Sequence, residues 1–102
     1  MYDISPEELK DYKAYTIVDI RDSMSYAYGH LPDAISVPQA ELSTYIDEWK
    51  DAGKILIYCK RGEASLDAVL MLREQGVEAY NLDGGYMAWL MLATVSYTHL
   101  RA

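Results

Sequence analysis

Cys59-Lys60-Arg61-Gly62-Glu63-Ala64-Ser65 is the segment of this chain best equipped for chemistry. Its cysteine, the only one in the chain, follows the apolar run Lys54-Ile55-Leu56-Ile57-Tyr58 and precedes a stretch of helical spacing. The thiolate is the nucleophilic form of cysteine, and its pKa falls beside a helix N-terminus or a cationic side chain. A helix opening at Ser65 offers free N–H groups and the positive end of a dipole. Lys60 and Arg61 add positive charge. Gly62 permits a positive φ, so that successive N–H groups can curl around an anion. Ser65 is placed to cap the helix and to donate a hydroxyl. The competing reading makes Cys59 a small buried hydrophobe, as free cysteines often are, with Lys60 and Arg61 a solvated turn. A position between a buried strand and a helix start favours the nucleophile.

The elements around this segment alternate. Lys54–Tyr58 is the clearest strand, apolar without alternation, as in a parallel strand covered on both faces. Thr16–Ile20, Ala34–Val37 and Val77–Leu82 read as further strands. Ser5-Pro6-Glu7-Glu8 carries the signature of a capping box, with Pro at the first helical position, and predicts a short helix to about Lys13. Ser23–Tyr28 reads as a helix stopped by Gly29, and Glu41–Lys50 as a helix with Leu42, Tyr45, Ile46 and Trp49 on one core-facing stripe. Ser65–Glu74 is a strong helix ended by Gly76, and Tyr86–Leu92 is a final one. Alternation of this kind predicts an α/β fold with a mainly parallel sheet. In such sheets ligands bind beyond the carboxyl ends of the strands, where Cys59 stands.

Length and charge narrow the function. A chain of 102 residues suits one domain with one core. A net charge of −7 argues against nucleic acid and against an anionic membrane surface as partners. No apolar run is long enough to span a bilayer. The N-terminal residues do not read as a secretory signal, so the expected location is cytoplasmic. One cysteine and two histidines far apart in sequence leave no zinc site to expect, and no cofactor is implied. Residues 93–102, which include His99, continue no earlier pattern and resemble translated adapter sequence. The domain is therefore expected to be 1–92, with 93–102 a non-native tail.

Four separate pieces, in order, resemble the rhodanese-like sulfurtransferase family. Val18-Asp19-Ile20-Arg21-Asp22 is similar to that family's Asp-x-Arg strand end. Tyr28-Gly29-His30-Leu31-Pro32-Asp33-Ala34 resembles its Gly-His-Ile-Pro-Gly-Ala segment, with Asp33 where glycine is usual. Ile57-Tyr58-Cys59 through Ser65 looks like its active-site loop, and Leu82-Asp83-Gly84-Gly85-Tyr86-Met87-Ala88-Trp89 matches its Gly-Gly-x-x-x-Trp ending. The resemblance spans about Ile4 to Leu90. It implies a five-stranded, mainly parallel sheet with helices on both faces.

The chemistry the resemblance implies is sulfur transfer. Cys59 takes a sulfane sulfur from a donor, holds it as a persulfide, and passes it to a thiol or other nucleophilic acceptor. Lys60, Arg61, Gly62, Glu63, Ala64 and Ser65 form the loop that binds the anion. The expected donors are thiosulfate, a small-molecule persulfide or a desulfurase; fusion to, or partnership with, a redox or desulfurase enzyme is common in the family. Many active members carry arginine five residues after the cysteine, where this chain has Ala64. Arg61 is then expected to compensate in part, and a persulfide donor to suit better than doubly charged thiosulfate. The related phosphatases have a loop one residue longer with a phosphate-clamping arginine, and Ser65 stands six after Cys59 here. Two other classes compete: a non-catalytic binding or regulatory module, against which Cys59 speaks, and a thiol-dependent redox or arsenate reductase, weakened by the lack of a second cysteine.

Asp19 is expected to be structural, and Arg21 either structural or part of the site. His30 is expected to be satisfied by backbone groups. Gly84 and Gly85 make a tight turn near the pocket, Trp89 packs in the core, and Tyr26, Tyr28 and Tyr86 are candidates for the pocket mouth.

Overall fold

The computed structural model describes the backbone of residues 2–101 and the side chains of residues 2–94; the side chain of His99 lies outside the described residues. Five parallel strands form one sheet: β1 (Asp3–Ile4), β2 (Tyr15–Asp19), β3 (Ile35–Ser36), β4 (Lys54–Tyr58) and β5 (Glu78–Leu82), in the order β1-β5-β4-β2-β3. Four α-helices, α1 (Ser23–Tyr28), α2 (Ile46–Trp49), α3 (Glu63–Glu74) and α4 (Gly85–Arg101), accompany them, with 3₁₀ turns at Tyr12–Ala14 and Gln39–Tyr45. The expected α/β class and mainly parallel sheet are what the chain adopts.

β4 is the middle strand, and its sequence explains why. Ile55, Leu56, Ile57 and Tyr58 are all fully buried. Side chains alternate between the faces of a strand. Ile55 and Ile57 therefore join Trp49 of α2 and Ala68, Val69 and Leu72 of α3 in one core. Leu56 and Tyr58 join Leu31 and Leu82 in the other, against which Tyr26 of α1 and Tyr86 and Trp89 of α4 pack. Burying each large side chain contributes about 1.5–3 kcal/mol, so the strand that carries Cys59 at its end is also the best anchored.

Several boundaries differ from the sequence reading. The capping box forms, with Ser5 N–H donating to Glu8 Oε1 (2.9 Å) and Glu8 N–H to Ser5 Oγ (3.2 Å), but no α-helix follows. After one turn Leu9 drops into the core and Asp11 caps a 3₁₀ turn instead, through its bond from Lys13 N–H. A helix this short is below the length at which propensity alone sustains one. The stripe Leu42, Tyr45, Ile46, Trp49 packs as expected against the core, but from a 3₁₀ turn leading into a short α2, not from one helix. The 3₁₀ period of three keeps Leu42 and Tyr45 on one side. α3 begins two residues before the expected Ser65, and α4 begins at Gly85 and runs past Leu92.

Candidate active site

Cys59 leaves the carboxyl end of β4, and the chain then turns through Lys60, Arg61 and Gly62 into α3. Gly62 has φ 90°, as its type allowed, and a side chain there would press on the Gly84 nitrogen at 3.0 Å. The turn folds the N-terminal N–H groups of α3 back over the sulfur. Gly62 N–H donates to Cys59 Sγ at 3.1 Å and Ser65 N–H at 3.4 Å, and Ser65 Oγ lies 3.2 Å from the sulfur. Burial by itself would push the thiol pKa up. The Ser65 hydroxyl and the N–H groups of Ser65, Arg61 and Gly62 together outweigh it, and the pKa lies below that of an ordinary thiol.

The outer side of the loop is tied to α4. Tyr86 N–H donates to the Cys59 carbonyl at 2.9 Å and Met87 N–H to the Lys60 carbonyl at 3.0 Å. Two helix N-termini thus serve one loop: α3 binds the sulfur and α4 binds the carbonyls beside it. Gly85, with φ 64°, makes this approach possible. A Cβ there would stand 2.6 Å from the Cys59 carbonyl oxygen and 2.7 Å from the Arg61 nitrogen.

Ser65 does not cap the helix. It lies inside the first turn of α3, fully buried, and its hydroxyl donates to Asn81 Oδ1 on β5. Asn81 Nδ2 in turn donates to Asp3 Oδ1 on β1 (2.8 Å) and to the Gly62 carbonyl (3.2 Å). Asn81 was not singled out from the sequence. Its signal was a lone carboxamide in an otherwise apolar strand end, since buried polar groups need partners.

Asp19, fully buried at the end of β2, gathers a second network. Its carboxylate accepts from Arg21 Nη2 (2.6 Å), Arg21 Nε (3.1 Å), the Arg21 N–H (2.8 Å) and the Tyr58 hydroxyl (2.7 Å). Arg21 also donates to the Gly29 carbonyl at 2.6 Å and lies over the Tyr86 ring at 4.1 Å. Burial opposes the Arg21 charge, but the Asp19 bonds and charge prevail and hold the guanidinium more firmly protonated. Burial, with Asp19 adding to it, raises the Tyr58 pKa. Asp19 thus sits at the centre of a buried hydrogen-bond network. Arg21 bonds Asp19 and the Gly29 carbonyl through Nε and Nη2, and its side chain also lines the cavity over Cys59.

That cavity is about 420 Å³ and open to solvent. Cys59, Arg21, Lys60, Ala64 and Tyr86 line it, together with Asp22, Ser25 and Gln39 that the sequence did not flag. Arg61 and Glu63 are exposed and border a second hollow, which Cys59, Lys60 and Ala64 also line. Arg61 therefore meets Cys59 and Ala64 in this second hollow, and Arg21 and Lys60 are the cations that line the main cavity. His30 is outside both hollows, stacked on Tyr26 with centroids 3.9 Å apart and its Nδ1 2.8 Å from the Tyr26 carbonyl oxygen. Gly84 belongs to the turn before α4 and does not line the cavity. Of the three tyrosines proposed for the mouth, only Tyr86 is there: the Tyr26 hydroxyl donates to the Ala34 carbonyl, and Tyr28 stands 89% exposed away from the cavity wall. Trp89 is half-buried at the core edge and donates to the Tyr12 hydroxyl at 2.9 Å. Asp33, where glycine was usual, has φ 62°, a conformation that aspartate tolerates better than most residues.

The chain is similar to known proteins in sequence and in fold. The rhodanese-like domain family matches residues 5–92. The chain is 39% identical over 83 residues to the thiosulfate sulfurtransferase GlpE of Pseudoalteromonas translucida, covering 80% of this chain and 79% of that protein. A rhodanese-related protein from Thermoplasma volcanium superposes with a TM-score of 0.81 at 26% identity, over 89% of this chain and 92% of the other. A rhodanese-like domain protein from Staphylococcus aureus does so with a TM-score of 0.78 at 31% identity, over 87% and 91%.

Proposed function

The chain belongs to the rhodanese-like family, and we propose that it is a sulfurtransferase whose Cys59 carries sulfane sulfur as a persulfide. The observation that carries this reading is the set of N–H groups at the start of α3 that converge on Cys59 Sγ. They favour the anionic thiolate and suit the anionic persulfide that replaces it. With thiosulfate as donor, the Cys59 thiolate attacks the outer sulfur. A sulfur–sulfur bond forms to Cys59, the original one breaks, and sulfite leaves with its electron pair. An acceptor thiolate then attacks the terminal sulfur, takes it as its own persulfide, and regenerates the Cys59 thiolate. Charge and atoms balance in both halves, and no cofactor enters. The covalent intermediate makes the reaction ping-pong.

The donor class follows from the cations. With Ala64 in the loop and the Arg21 charge paired with Asp19, Lys60 supplies the other positive side chain on the main cavity wall. A single ammonium beside a charge-paired guanidinium favours a singly charged persulfide donor, on a small molecule or a desulfurase, over thiosulfate. The acceptor is a small thiol or a protein thiol reached through the open cavity. A cytoplasmic location fits this chemistry, because the cytosol keeps thiols reduced; among the described residues no helix is long and apolar enough to cross a membrane. Sulfur loading of Cys59, followed by intact mass with and without the cysteine, tests the proposal.

A further inference from the structure

Two buried groups compete for one hydrogen beside the nucleophile. The Ser65 hydroxyl has a single proton to donate. It lies 3.2 Å from Cys59 Sγ, yet its hydrogen bond runs to Asn81 Oδ1. The Asn81 carboxamide cannot turn to relieve this. Its Nδ2 is fixed by two acceptors, Asp3 Oδ1 and the Gly62 carbonyl, and a flipped amide would set oxygen against both. Ser65 and Asn81 are buried, so bulk water is no substitute partner for either.

Two arrangements follow. In the thiol form the Cys59 S–H donates to Ser65 Oγ, the Ser65 O–H donates to Asn81 Oδ1, and every donor has an acceptor. When the thiol ionises, its proton leaves through the cavity to solvent. The Ser65 O–H then swings to the sulfur anion, and Asn81 Oδ1 is left without its donor. The N–H groups of Gly62 and Ser65 are fixed by the backbone, so the hydroxyl hydrogen is the movable donor.

We propose that Asn81 is a positioning residue that acts through Ser65: by holding the serine hydrogen in the thiol form, it sets how readily Cys59 becomes a nucleophile. This deepens the sulfur-carrier reading and rests on it only for the use made of the nucleophile, since the hydrogen-bond competition exists without any sulfur donor. A backbone-only cradle would leave the thiolate unopposed. With Asn81 in place, the anion forms at the expense of a buried acceptor, which makes the thiol harder to ionise than such a cradle would. The titratable and charged groups on the surrounding elements are Asp3 of β1, Arg21 and Asp22 after β2, Tyr58 of β4, Lys60 and Arg61 of the loop, Glu63 of α3 and Tyr86 of α4. None of them is substituted in the variants below.

The experiment is the rate of iodoacetamide alkylation against pH, which reads Cys59 alone because the chain has no other cysteine. Asn81→Val frees the serine hydrogen and is expected to lower the thiol pKa by about one unit, a tenfold change in the ionisation equilibrium. Ser65→Ala is expected to raise it. In the Ser65→Ala background, Asn81→Val should leave the pKa where Ser65→Ala put it, which a merely structural role for Asn81 would not arrange. An upward or absent shift in Asn81→Val, or an equal shift in both backgrounds, overturns the proposal. Should Asn81→Val not fold, the infrared S–H band decides between the outcomes. The wild-type band should lie at lower wavenumber than that of Ser65→Ala, and coincident bands count against the switch.

Discussion

Asp19→Ala separates a structural network from a catalytic one. The substitution removes the acceptor of four donors: Arg21 Nη2, Arg21 Nε, the Arg21 N–H and the Tyr58 hydroxyl. Arg21 keeps the Gly29 carbonyl and the Tyr86 face, but its side chain is only 10% exposed and its charge loses its counter-ion. Removing one partner of a buried pair costs about 3–5 kcal/mol, because the other charge stays buried. Each kcal/mol lowers Tm by about 4–8 °C in a domain of this size, so a fall of roughly 12–40 °C is expected. Domains have only about 5–15 kcal/mol of stability in all, and at the lower end Asp19→Ala is largely unfolded at ambient temperature. Thermal and urea unfolding followed by circular dichroism measure the loss. Asp19→Asn keeps an acceptor for Tyr58 and should lose less. Replacing both Asp19 and Arg21 with apolar residues of similar size should cost less than the sum of the single changes. A stability within 1 kcal/mol of wild type for Asp19→Ala, combined with lost sulfur transfer, would refute the structural assignment.

Three further outcomes are expected. Gly85→Ala places a Cβ 2.6 Å from the Cys59 carbonyl oxygen at a positive φ; backbone strain and overpacking of about 1–3 kcal/mol each should lower Tm by at least about 8 °C, and an unchanged Tm would contradict the close approach. The Cys59 alkylation rate should rise with pH and level off below the free-thiol value of about 8.5, because the loop donors hold the thiol pKa down; a midpoint at or above that value counts against them. Ala64→Arg adds a fixed cation to the cavity wall and should raise kcat/KM for thiosulfate by about tenfold or more, from a charged hydrogen bond of roughly 1.5–3 kcal/mol, while changing a neutral or singly charged donor less; equal effects on all donors would disconnect Ala64 from donor charge.

The sequence made the reacting end of the sheet legible and hid much of what braces it. Cys59 could be placed because the unbroken apolar run of β4 marks a central strand, and a central parallel strand has its site at its carboxyl end. Gly62 could be read because a positive φ restricts the residue type. Ser65 was misread for a related reason: once Gly62 makes the turn, the helix begins at Glu63, and a serine two residues further in faces the sheet instead of capping. β1 escaped notice because two residues, Asp3 and Ile4, carry no periodicity; only their pairing with Asn81 and Leu82 makes them a strand. The same pairing brings Asp3 to Asn81, a contact 78 positions apart that local pattern cannot announce. Arg61 was placed by proximity in sequence, and it borders a second hollow with Cys59 and Ala64 instead of the main cavity.

Sulfur carriage by Cys59 is read most directly from intact mass. The protein is incubated in turn with thiosulfate, with a low-molecular-weight persulfide and with a desulfurase supplied with its substrate, and then weighed. The expected result is a gain of one sulfur atom from at least one donor, removed by dithiothreitol and absent in Cys59→Ser. No adduct from any donor, or an adduct that survives Cys59→Ser, would contradict it.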